Sequence, residues 1–384
     1  MKHSNIPCLL EAQEKAILVG IHRPFQPRWE TEGYLDELAL LADTAGAEVV
    51  GRIIQERRRI EPTTFIGKGK ANFLANLVAQ LGADLVIFDE DLSPVQVRNL
   101  ENITQVKVID RSGLILDVFA RRAKSKEAKT QVELAQLRYL LPRLTRRWGH
   151  LSRQYGGIGT RGPGETQLEV DRRLVKKRIS ILVQDLQKIE KQRCLRRRGR
   201  RDVFKVALVG YTNSGKSTLL NALANTHVAV ENRLFVTLDP TVRAVKLNAH
   251  QKILLIDTVG FIRKLPHHLV ASFHSTLEEA IFADMLLMVV DISDHDFRDH
   301  IAVVRDVLSE LGILGKPTLI VFNKVDRLTD PRIIVQVKSQ YQPCMIVSAQ
   351  RGIFLEDLKQ EILRFLEERT VKNEMECDLK EAQL

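Results

Sequence analysis

The stretch GYTNSGKS, residues 210–217, restricts the possible folds of this chain more than any other feature. An apolar and β-branched run at 204–209 precedes it, and LLNAL follows it. The spacing GxxxxGKS between a predicted strand and a predicted helix is the P-loop signature, whose glycines let backbone amides approach phosphates. In this pattern Lys216 neutralises the β and γ phosphates and the Ser217 hydroxyl binds Mg²⁺. The segment therefore predicts a nucleotide site in an α/β domain.

Three further motifs follow the P-loop in the expected order. Asp257 of DTVG ends a second apolar segment, where its carboxylate can hold Mg²⁺ and the Gly260 amide can reach the γ phosphate. Asp326 of NKVD can accept from both the ring N–H and the exocyclic amine of guanine, a donor pair that adenine lacks. Ala349 of SAQ, residues 348–350, could contact the guanine oxygen. The alternative, ordinary loop residues, requires four coincidences, so GTP is predicted rather than ATP.

The segment LFVTLDPTVR, residues 234–243, lies between the P-loop and DTVG, where GTPases place the first switch. A threonine there can complete Mg²⁺ coordination and sense the γ phosphate. Both Thr237 and Thr241 qualify. Similarity to the FTTLxP pattern of Obg-type GTPases favours Thr237, and the alternative for Thr241 is a turn residue after Pro240.

Residues 15–122 alternate strand-like and helix-like segments. The predicted strands are KAILVGIH, AEVVGRIIQ, DLVIFDE and VKVIDR, and the helical patterns lie at about 32–44, 70–81 and 94–102. Repeated βα units predict a small parallel sheet covered by helices. The expected N-terminal α/β subdomain is 1–123.

The next segment changes to a helical period. Spacings of three and four place one apolar seam on each of two long helices, at Leu134, Leu137, Leu141 and Leu144 and at Val175, Ile179, Leu182, Leu186 and Ile189. Five glycines and Pro163 between His150 and Gln167 stop both helices. We therefore expect an antiparallel helix pair at 124–196 with a glycine-rich tip, and Pro142 is expected to kink its first helix.

From Phe204 to about Arg369 strands and helices alternate again. The predicted strands are VALVG, KILLIDTVG, MLLMVVDIS, TLIVFNKVD and CMIVSAQ. With the four nucleotide motifs, this pattern predicts a Ras-like P-loop GTPase domain at 197–370, followed by a frayed tail at 371–384. The predicted fold class is α/β, with the small parallel subdomain and the helix pair preceding the GTPase domain.

The net charge of +10 is concentrated in one window. Residues 143–201 hold 18 Lys plus Arg against 5 Asp plus Glu, a net +13, so the rest of the chain is slightly acidic. Such a block favours a polyanionic partner. The apolar runs are too short for a membrane span, and Glu11 and Glu14 interrupt any signal-peptide core, so a cytoplasmic location is expected, with peripheral membrane association left open. The four cysteines lack CxxC or CxxH spacing, which disfavours a zinc site.

The combination of GYTNSGKST, LFVTLDPT, DTVGFI and NKVD with the upstream GGIGTRGPGETQLEVDRR resembles the HflX family, translational GTPase-like factors of the Obg–HflX group. GPGETQLEVDRR is the specific element, because the nucleotide motifs alone fit many GTPases. The resemblance implies a GTPase that binds GTP and GDP and uses Mg²⁺. The predicted GTP-binding residues are Gly210, Tyr211, Thr212, Asn213, Ser214, Gly215, Lys216, Ser217, Thr218, Phe235, Val236, Thr237, Asp257, Thr258, Val259, Gly260, Asn323, Lys324, Asp326, Ser348, Ala349 and Gln350.

Within that set, Lys216, Thr237 and Gly260 are the predicted catalytic residues, and Ser217, Thr237 and Asp257 the predicted Mg²⁺ ligands. Ras-type enzymes place a water-orienting glutamine directly after DxxG, where this chain has Phe261. Intrinsic hydrolysis is therefore expected to be slow, and the activator that the resemblance implies is the large ribosomal subunit. Asn213 either helps to bind K⁺, as in GTPases that replace an arginine finger by this ion, or only stabilises the loop.

Arginines cluster on both sides of the glycine-rich tip, and their planar guanidinium groups suit phosphate; they are Arg143, Arg146, Arg147, Arg153, Arg161, Arg172 and Arg173. Trp148 and Tyr155 are near in sequence and could stack on unpaired bases. The alternative is a solvated basic face. The resemblance implies that the tip loop, 156–167, reaches ribosomal RNA near the peptidyl-transferase centre and that the protein separates stalled or idle ribosomes into subunits. A monomer is expected.

Other functions remain open from the sequence alone. IGKGK at 66–70 lacks the P-loop spacing and is either a turn into a helix or a second nucleotide site, with Lys68 and Lys70 on phosphate. The rival enzyme functions are a ribosome-assembly GTPase and an ATP-dependent RNA remodeller. The non-enzyme alternative is an RNA-binding protein with GTP as a structural ligand.

Overall fold

The computed structural model describes residues 13–144, 167–198, 203–225, 234–264, 266 and 274–381. Its contacts divide the chain into two units. The first unit comprises Met1–Arg121 and Ala135–Ile179, and the second comprises Arg122–Leu134 and Ser180–Leu384. The predicted helix pair is therefore shared between the units.

The first unit contains a four-stranded parallel sheet in the order β2-β1-β3-β4. The strands are β1 (Lys15–His22), β2 (Glu48–Glu56), β3 (Leu85–Phe88) and β4 (Lys107–Asp110). The helices are α1 (Arg28–Thr44), α2 (Lys68–Leu81), α3 (Pro94–Thr104) and α4 (Arg111–Arg122). The central strands are apolar on both sides, as expected when helices cover both faces of a parallel sheet. The predicted α/β class is confirmed.

Helix α4 was missed by the sequence prediction because it follows β4 without a turn. Its first residue, Arg111, is buried, and its guanidinium donates to Asp89 at 2.6 Å and to Glu37. A buried charge needs such partners, which anchor the start of α4 to β3 and α1.

Two long helices follow. Helix α5 (Lys126–Leu140) ends in a 3₁₀ turn, Leu141–Arg143, and α6 extends over Gln167–Arg198. The expected kink at Pro142 is wrong: the helix ends there, because proline lacks the N–H that an interior position requires. The predicted seam of α6 is buried or half-buried from Val175 to Ile189. The predicted tip, 145–166, lies outside the described residues.

The second unit contains a six-stranded sheet in the order β10-β9-β8-β5-β7-β6, parallel except for β6. The strands are β5 (Lys205–Gly210), β6 (Thr241–Lys246), β7 (Lys252–Asp257), β8 (Met285–Asp291), β9 (Thr318–Asn323) and β10 (Cys344–Ile346). The helices are α7 (Lys216–Ala224), α8 (His274–Ile281), α9 (Phe297–Glu310), α10 (Arg332–Gln340) and α11 (Leu355–Glu381). The predicted Ras-like arrangement is confirmed. Because parallel strands share one carboxyl edge, the motifs after β5, β7 and β9 meet there.

Two segments of this unit have a secondary structure that differs from the one considered in the sequence analysis. Thr241 is the first residue of edge strand β6, opposite Asp257, and not a turn residue. The strand was missed because an edge strand exposes most of its side chains and shows no apolar run. The expected frayed tail from about Thr370 is helical to Glu381, since that segment contains neither glycine nor proline. No described helix is long and apolar enough to cross a membrane.

Candidate nucleotide site

The P-loop connects β5 to α7 around a buried lysine. Gly215 precedes α7 with φ +92°, and an added Cβ would lie 2.3 Å from Asn323 Nδ2, so only glycine fits. Lys216 Nζ donates to the carbonyls of Gly210 at 3.1 Å and Tyr211 at 2.7 Å. Burial lowers the pKa of Lys216 to about 8, and Asp257 opposes this effect. A phosphate in the loop would supply the missing counter-charge.

The P-loop and the segment after β7 are joined by backbone hydrogen bonds. Phe261 N donates to Gly210 O at 3.0 Å, and Thr212 N donates to Phe261 O at 2.7 Å. Gly260 is held so close that an added Cβ would lie 2.7 Å from Thr212 Cα and 3.0 Å from Lys216 Nζ. The Phe261 side chain is buried in the core, so no side chain orients water from this position.

The three predicted Mg²⁺ ligands converge. Ser217 Oγ lies 2.6 Å from Asp257 Oδ2 and 2.8 Å from Thr237 Oγ1, which lies 3.0 Å from the same carboxylate oxygen. Burial raises the pKa of Asp257, and Lys216 opposes the shift. Asp257 Oδ1 is buried without a hydrogen-bond partner among the described residues. An unsatisfied carboxylate oxygen beside two hydroxyls fits a hard cation such as Mg²⁺.

The P-loop, the switch segment and DTVG together line a cavity of about 50 Å³. It is lined by Thr212, Asn213, Gly215, Lys216, Ser217, Thr218, Phe235, Val236, Thr237, Thr258 and Gly260. Phe235 N donates to Thr212 Oγ1 at 2.9 Å, which ties the switch segment to the P-loop. Three other predicted GTP-binding residues have different environments. The Thr258 hydroxyl donates to Leu208 O at 2.6 Å, the Val259 side chain is buried, and the Gln350 side chain is exposed.

The predicted base-reading motifs are linked to the P-loop. Asn323 Nδ2 donates to Ser214 O at 3.0 Å, and its Oδ1 accepts from Ala349 N at 3.0 Å. Lys324 Nζ donates to Asn213 O at 2.8 Å and pairs with Asp291 at 2.7 Å. NKVD, SAQ and the P-loop therefore form one connected network.

Asp326 is prepared as an acceptor. Its Oδ1 accepts from the Ser348 hydroxyl, and this hydrogen bond lowers the pKa of Asp326. Arg351 Nε lies 3.8 Å from its Oδ2. The ionised carboxylate offers acceptors only, which suits the two guanine donors.

Sequence reasoning missed a second set of residues around Tyr211. The Tyr211 ring stacks on His300 of α9 with centroids 3.7 Å apart and planes at 12°. Its hydroxyl accepts from Arg263 N at 2.9 Å, and the Arg263 side chain pairs with Asp296 at 2.9 Å. No local spacing connects these segments, so only the fold reveals the cluster.

The structure gives one of the predicted RNA-binding residues, Arg143, partners within the first unit. Arg143 Nη2 donates to Asp110 Oδ2 at 2.9 Å and to Leu92 O at 2.8 Å, and the guanidinium lies 3.7 Å from the Tyr139 ring centroid. Because the Asp110 carboxylate is fully buried, it requires this partner. Arg143 therefore has a structural role as the partner of Asp110, and its binding of RNA stays a prediction.

The other predicted RNA contacts differ in position. Arg172 and Arg173 are exposed on α6. Arg146, Arg147, Arg153 and Arg161 lie outside the described residues.

The IGKGK segment of the first unit enters α2 as a turn. Gly67 precedes the helix, and its N–H donates to Gln55 Oε1 at 3.1 Å. Lys70 Nζ lies 4.7 Å from the Phe73 ring centroid. The structure thus gives this segment the geometry of a turn into a helix.

Comparisons with known proteins give matches along most of the chain. Three family models match in succession: "GTP-binding GTPase N-terminal" at 32–120, "GTP-binding GTPase Middle Region" at 122–200 and "50S ribosome-binding GTPase" at 205–324. GTPase HflX of Flavobacterium psychrophilum is 52% identical over 82% of this chain and 76% of its own length. GTPase HflX of Escherichia coli K12 is 44% identical over 97% of this chain and 88% of its own length.

A solved structure is similar over a comparable extent. The crystal structure of the SsGBP and GDP complex covers 92% of this chain and 98% of its own, at 26% identity and a TM-score of 0.50. The chain thus has relatives that it matches along most of its length and a solved structure of similar fold. Identity of this level over most of both chains shows that the protein belongs to the HflX family of GTPases, which hydrolyse GTP.

Proposed function

We propose that this GTPase binds ribosomal RNA of the large subunit and separates stalled or idle ribosomes into subunits. The observation that carries the proposal is the match of 205–324 to a family described as "50S ribosome-binding GTPase". The net +13 of residues 143–201, directly before that domain, supports a polyanionic partner. We propose that the protein acts as a cytoplasmic monomer, with 1–123 and 124–196 as the ribosome-facing parts and 197–370 as the switch.

The proposed site roles follow the geometry. Lys216 neutralises the β and γ phosphates, the Gly260 amide binds the γ phosphate, and Asp326 reads guanine. Ser217, Thr237 and Asp257 would hold Mg²⁺, which when bound neutralises phosphate charge. Thr237 is preferred over Thr241 because its hydroxyl already lies 3.0 Å from Asp257.

Stimulation by the ribosome is proposed because Phe261, directly after Gly260, has no group that can orient water. The Phe261 side chain is buried in the core, so a polar side chain could take its place beside the nucleotide only if this part of the core rearranged. A partner that orders the site can add about 10³–10⁵ in rate. We propose K⁺ as a second contribution to hydrolysis, because the Asn213 side chain is exposed and could bind the ion. The alternative is that Asn213 only stabilises the loop.

GTP turnover with and without purified large subunits tests this function, and sedimentation of intact ribosomes after incubation with GTP tests subunit separation. We expect stimulated turnover and loss of the intact-ribosome peak. Stimulation only by immature particles would favour a ribosome-assembly GTPase, and RNA-stimulated ATP turnover would favour a remodeller. Absence of turnover under all conditions would leave GTP as a structural ligand.

A further inference from the structure

Asp239 in the switch segment binds the start of helix α5. Its Oδ2 accepts from Lys124 N and Ser125 N, each at 3.0 Å, and its Oδ1 accepts from the Ser125 hydroxyl. Ser125 in turn accepts from Ala128 N at 3.0 Å and so caps α5. These contacts join residues 114 positions apart within the second unit. A carboxylate at a helix N-terminus is favourable because unpaired amides and the helix dipole face it.

This anchor lies two residues from Thr237. Two residues span at most about 7 Å, so fixing Asp239 limits the distance that the Thr237 hydroxyl can move. The intervening Leu238 is 2% exposed, and Pro240 follows with a restricted φ. On the other side, Phe235 N is bound to Thr212 Oγ1. The switch segment is therefore held at both ends, with Thr237 between them.

We infer that Asp239 is a positioning residue for GTP hydrolysis: by binding the start of α5 it holds Thr237 beside Ser217 and Asp257. This inference rests on the proposed role of Thr237. Coupling between two sites is reciprocal, so a nucleotide state that engages Thr237 stabilises the contact between Asp239 and α5 by the same factor. The first turn of α5 is thus linked to the state of the γ phosphate.

A second ion-pair contact at the same end of α5 provides a control for the role of Asp239. Arg193 of α6 pairs with Glu127 of α5 at 2.8 Å and with Glu279 of α8 at 3.6 Å. Both of these partners lie outside the switch segment. Loss of the Arg193 ion pairs would weaken the packing of α5 but keep the hydrogen bonds of Asp239.

The test measures affinity for GDP and for a non-hydrolysable GTP analogue with Mg²⁺ in the wild type, Asp239→Ala, Asp239→Asn, Thr237→Ala and Arg193→Gln. We expect Asp239→Ala to lower the ratio of analogue affinity to GDP affinity about tenfold, since the bonds lost are to a charged group. Affinity for GDP should stay unchanged because GDP has no γ phosphate for the switch to sense. Asp239→Asn keeps one oxygen and should lose less, and Arg193→Gln should keep the wild-type ratio.

Hydrogen exchange provides a readout besides binding. In the wild type, the amides of Lys124 and Ser125 should exchange more slowly with the analogue than with GDP, and Thr237→Ala should abolish this difference. Should Asp239→Ala fail to fold, Asp239→Asn and wild-type exchange decide. The inference is overturned if Asp239→Ala keeps the wild-type ratio while Thr237→Ala lowers it, or if Arg193→Gln lowers it equally. An unchanged ratio in Thr237→Ala would remove the role of Thr237 itself, and no outcome depends on ribosomes.

Discussion

Replacement of Asp326 by asparagine tests how the site selects guanine. Asp326 Oδ1 accepts from the Ser348 hydroxyl, and Oδ2 faces Arg351 Nε at 3.8 Å. The lowered pKa keeps the carboxylate ionised at neutral pH, so it presents acceptors to the two N–H donors of guanine. In Asp326→Asn, the remaining oxygen can still accept from Ser348. The new amine then faces the exocyclic amine of guanine.

The magnitude follows from the bonds that change. One charge-assisted hydrogen bond, about 1.5–3 kcal/mol, is lost, and a donor left facing a donor costs about 1–3 kcal/mol more. The sum corresponds to about 10²–10⁴ in affinity for GTP. Xanthine carries a carbonyl where guanine carries the amine, so the same substitution creates a matched pair with xanthosine nucleotides.

Calorimetric titration with GDP and xanthosine diphosphate measures the preference, and ribosome-stimulated turnover with the two triphosphates measures its consequence. Asp330→Asn is the matched control, because Asp330 is exposed to a greater degree and pairs with its neighbour Arg332 at 2.9 Å. We expect Asp326→Asn to prefer the xanthosine nucleotides and the control to behave as wild type. If Asp326→Asn kept its preference for guanine, base reading by NKVD would be refuted.

Three further predictions address other parts of the molecule. If the window 143–201 contacts several phosphates, log affinity for the large subunit should fall linearly with log salt concentration. Replacing Arg172 and Arg173 by alanine should weaken binding and flatten this slope, whereas an unchanged slope removes the pair from the interface. Na⁺ in place of K⁺ at constant ionic strength should slow GTP hydrolysis, and Asn213→Ala should abolish the difference; equal rates in both salts leave Asn213 only a loop role. Burial lowers the pKa of His300 against opposing contributions from Asp294, Asp296 and Asp299, and Arg263 adds to the lowering. The unfolded state therefore binds the proton first, and stability should fall as pH drops below about 6.5, towards the folded pKa. His300→Phe, which keeps a ring on Tyr211, should lose less stability on acidification, and equal losses in thermal unfolding would contradict this reasoning.

The parts of the site that sequence predicted are those whose chemistry depends on local spacing. GxxxxGKS, DTVG and NKVD each place a functional group directly after a strand, so the parallel sheet is sufficient to bring Lys216, Asp257 and Asp326 to one edge. The network from Asn323 to Ser214 and Ala349 follows from the same arrangement.

The features that the sequence did not predict depend on partners distant in sequence. In the sequence Arg143 belongs to a basic cluster, and only the fold shows that it pairs with the buried Asp110, 33 positions away. The local sequence gives no sign of the role of Asp239, because its partners Ser125 and Lys124 lie 114 and 115 positions away. Strand β6 could not be recognised from its apolar pattern, since only one of its two faces meets the core and its residues are largely exposed. Such features can be recognised only from the tertiary fold, because the local sequence pattern does not contain the partner residues.

The β6–β7 hairpin also limits how much chain a nucleotide can reorganise. Its antiparallel register begins with Thr241 opposite Asp257 and ends with Lys246 opposite Lys252. A displacement of the switch beyond Thr241 would have to unzip this ladder from the end that carries Asp257. The far turn is closed by the Asn248 side chain, which accepts from His250 N at 2.9 Å and Gln251 N at 2.7 Å. A fluorophore or a short insertion at this exposed turn would therefore report from a fixed reference point.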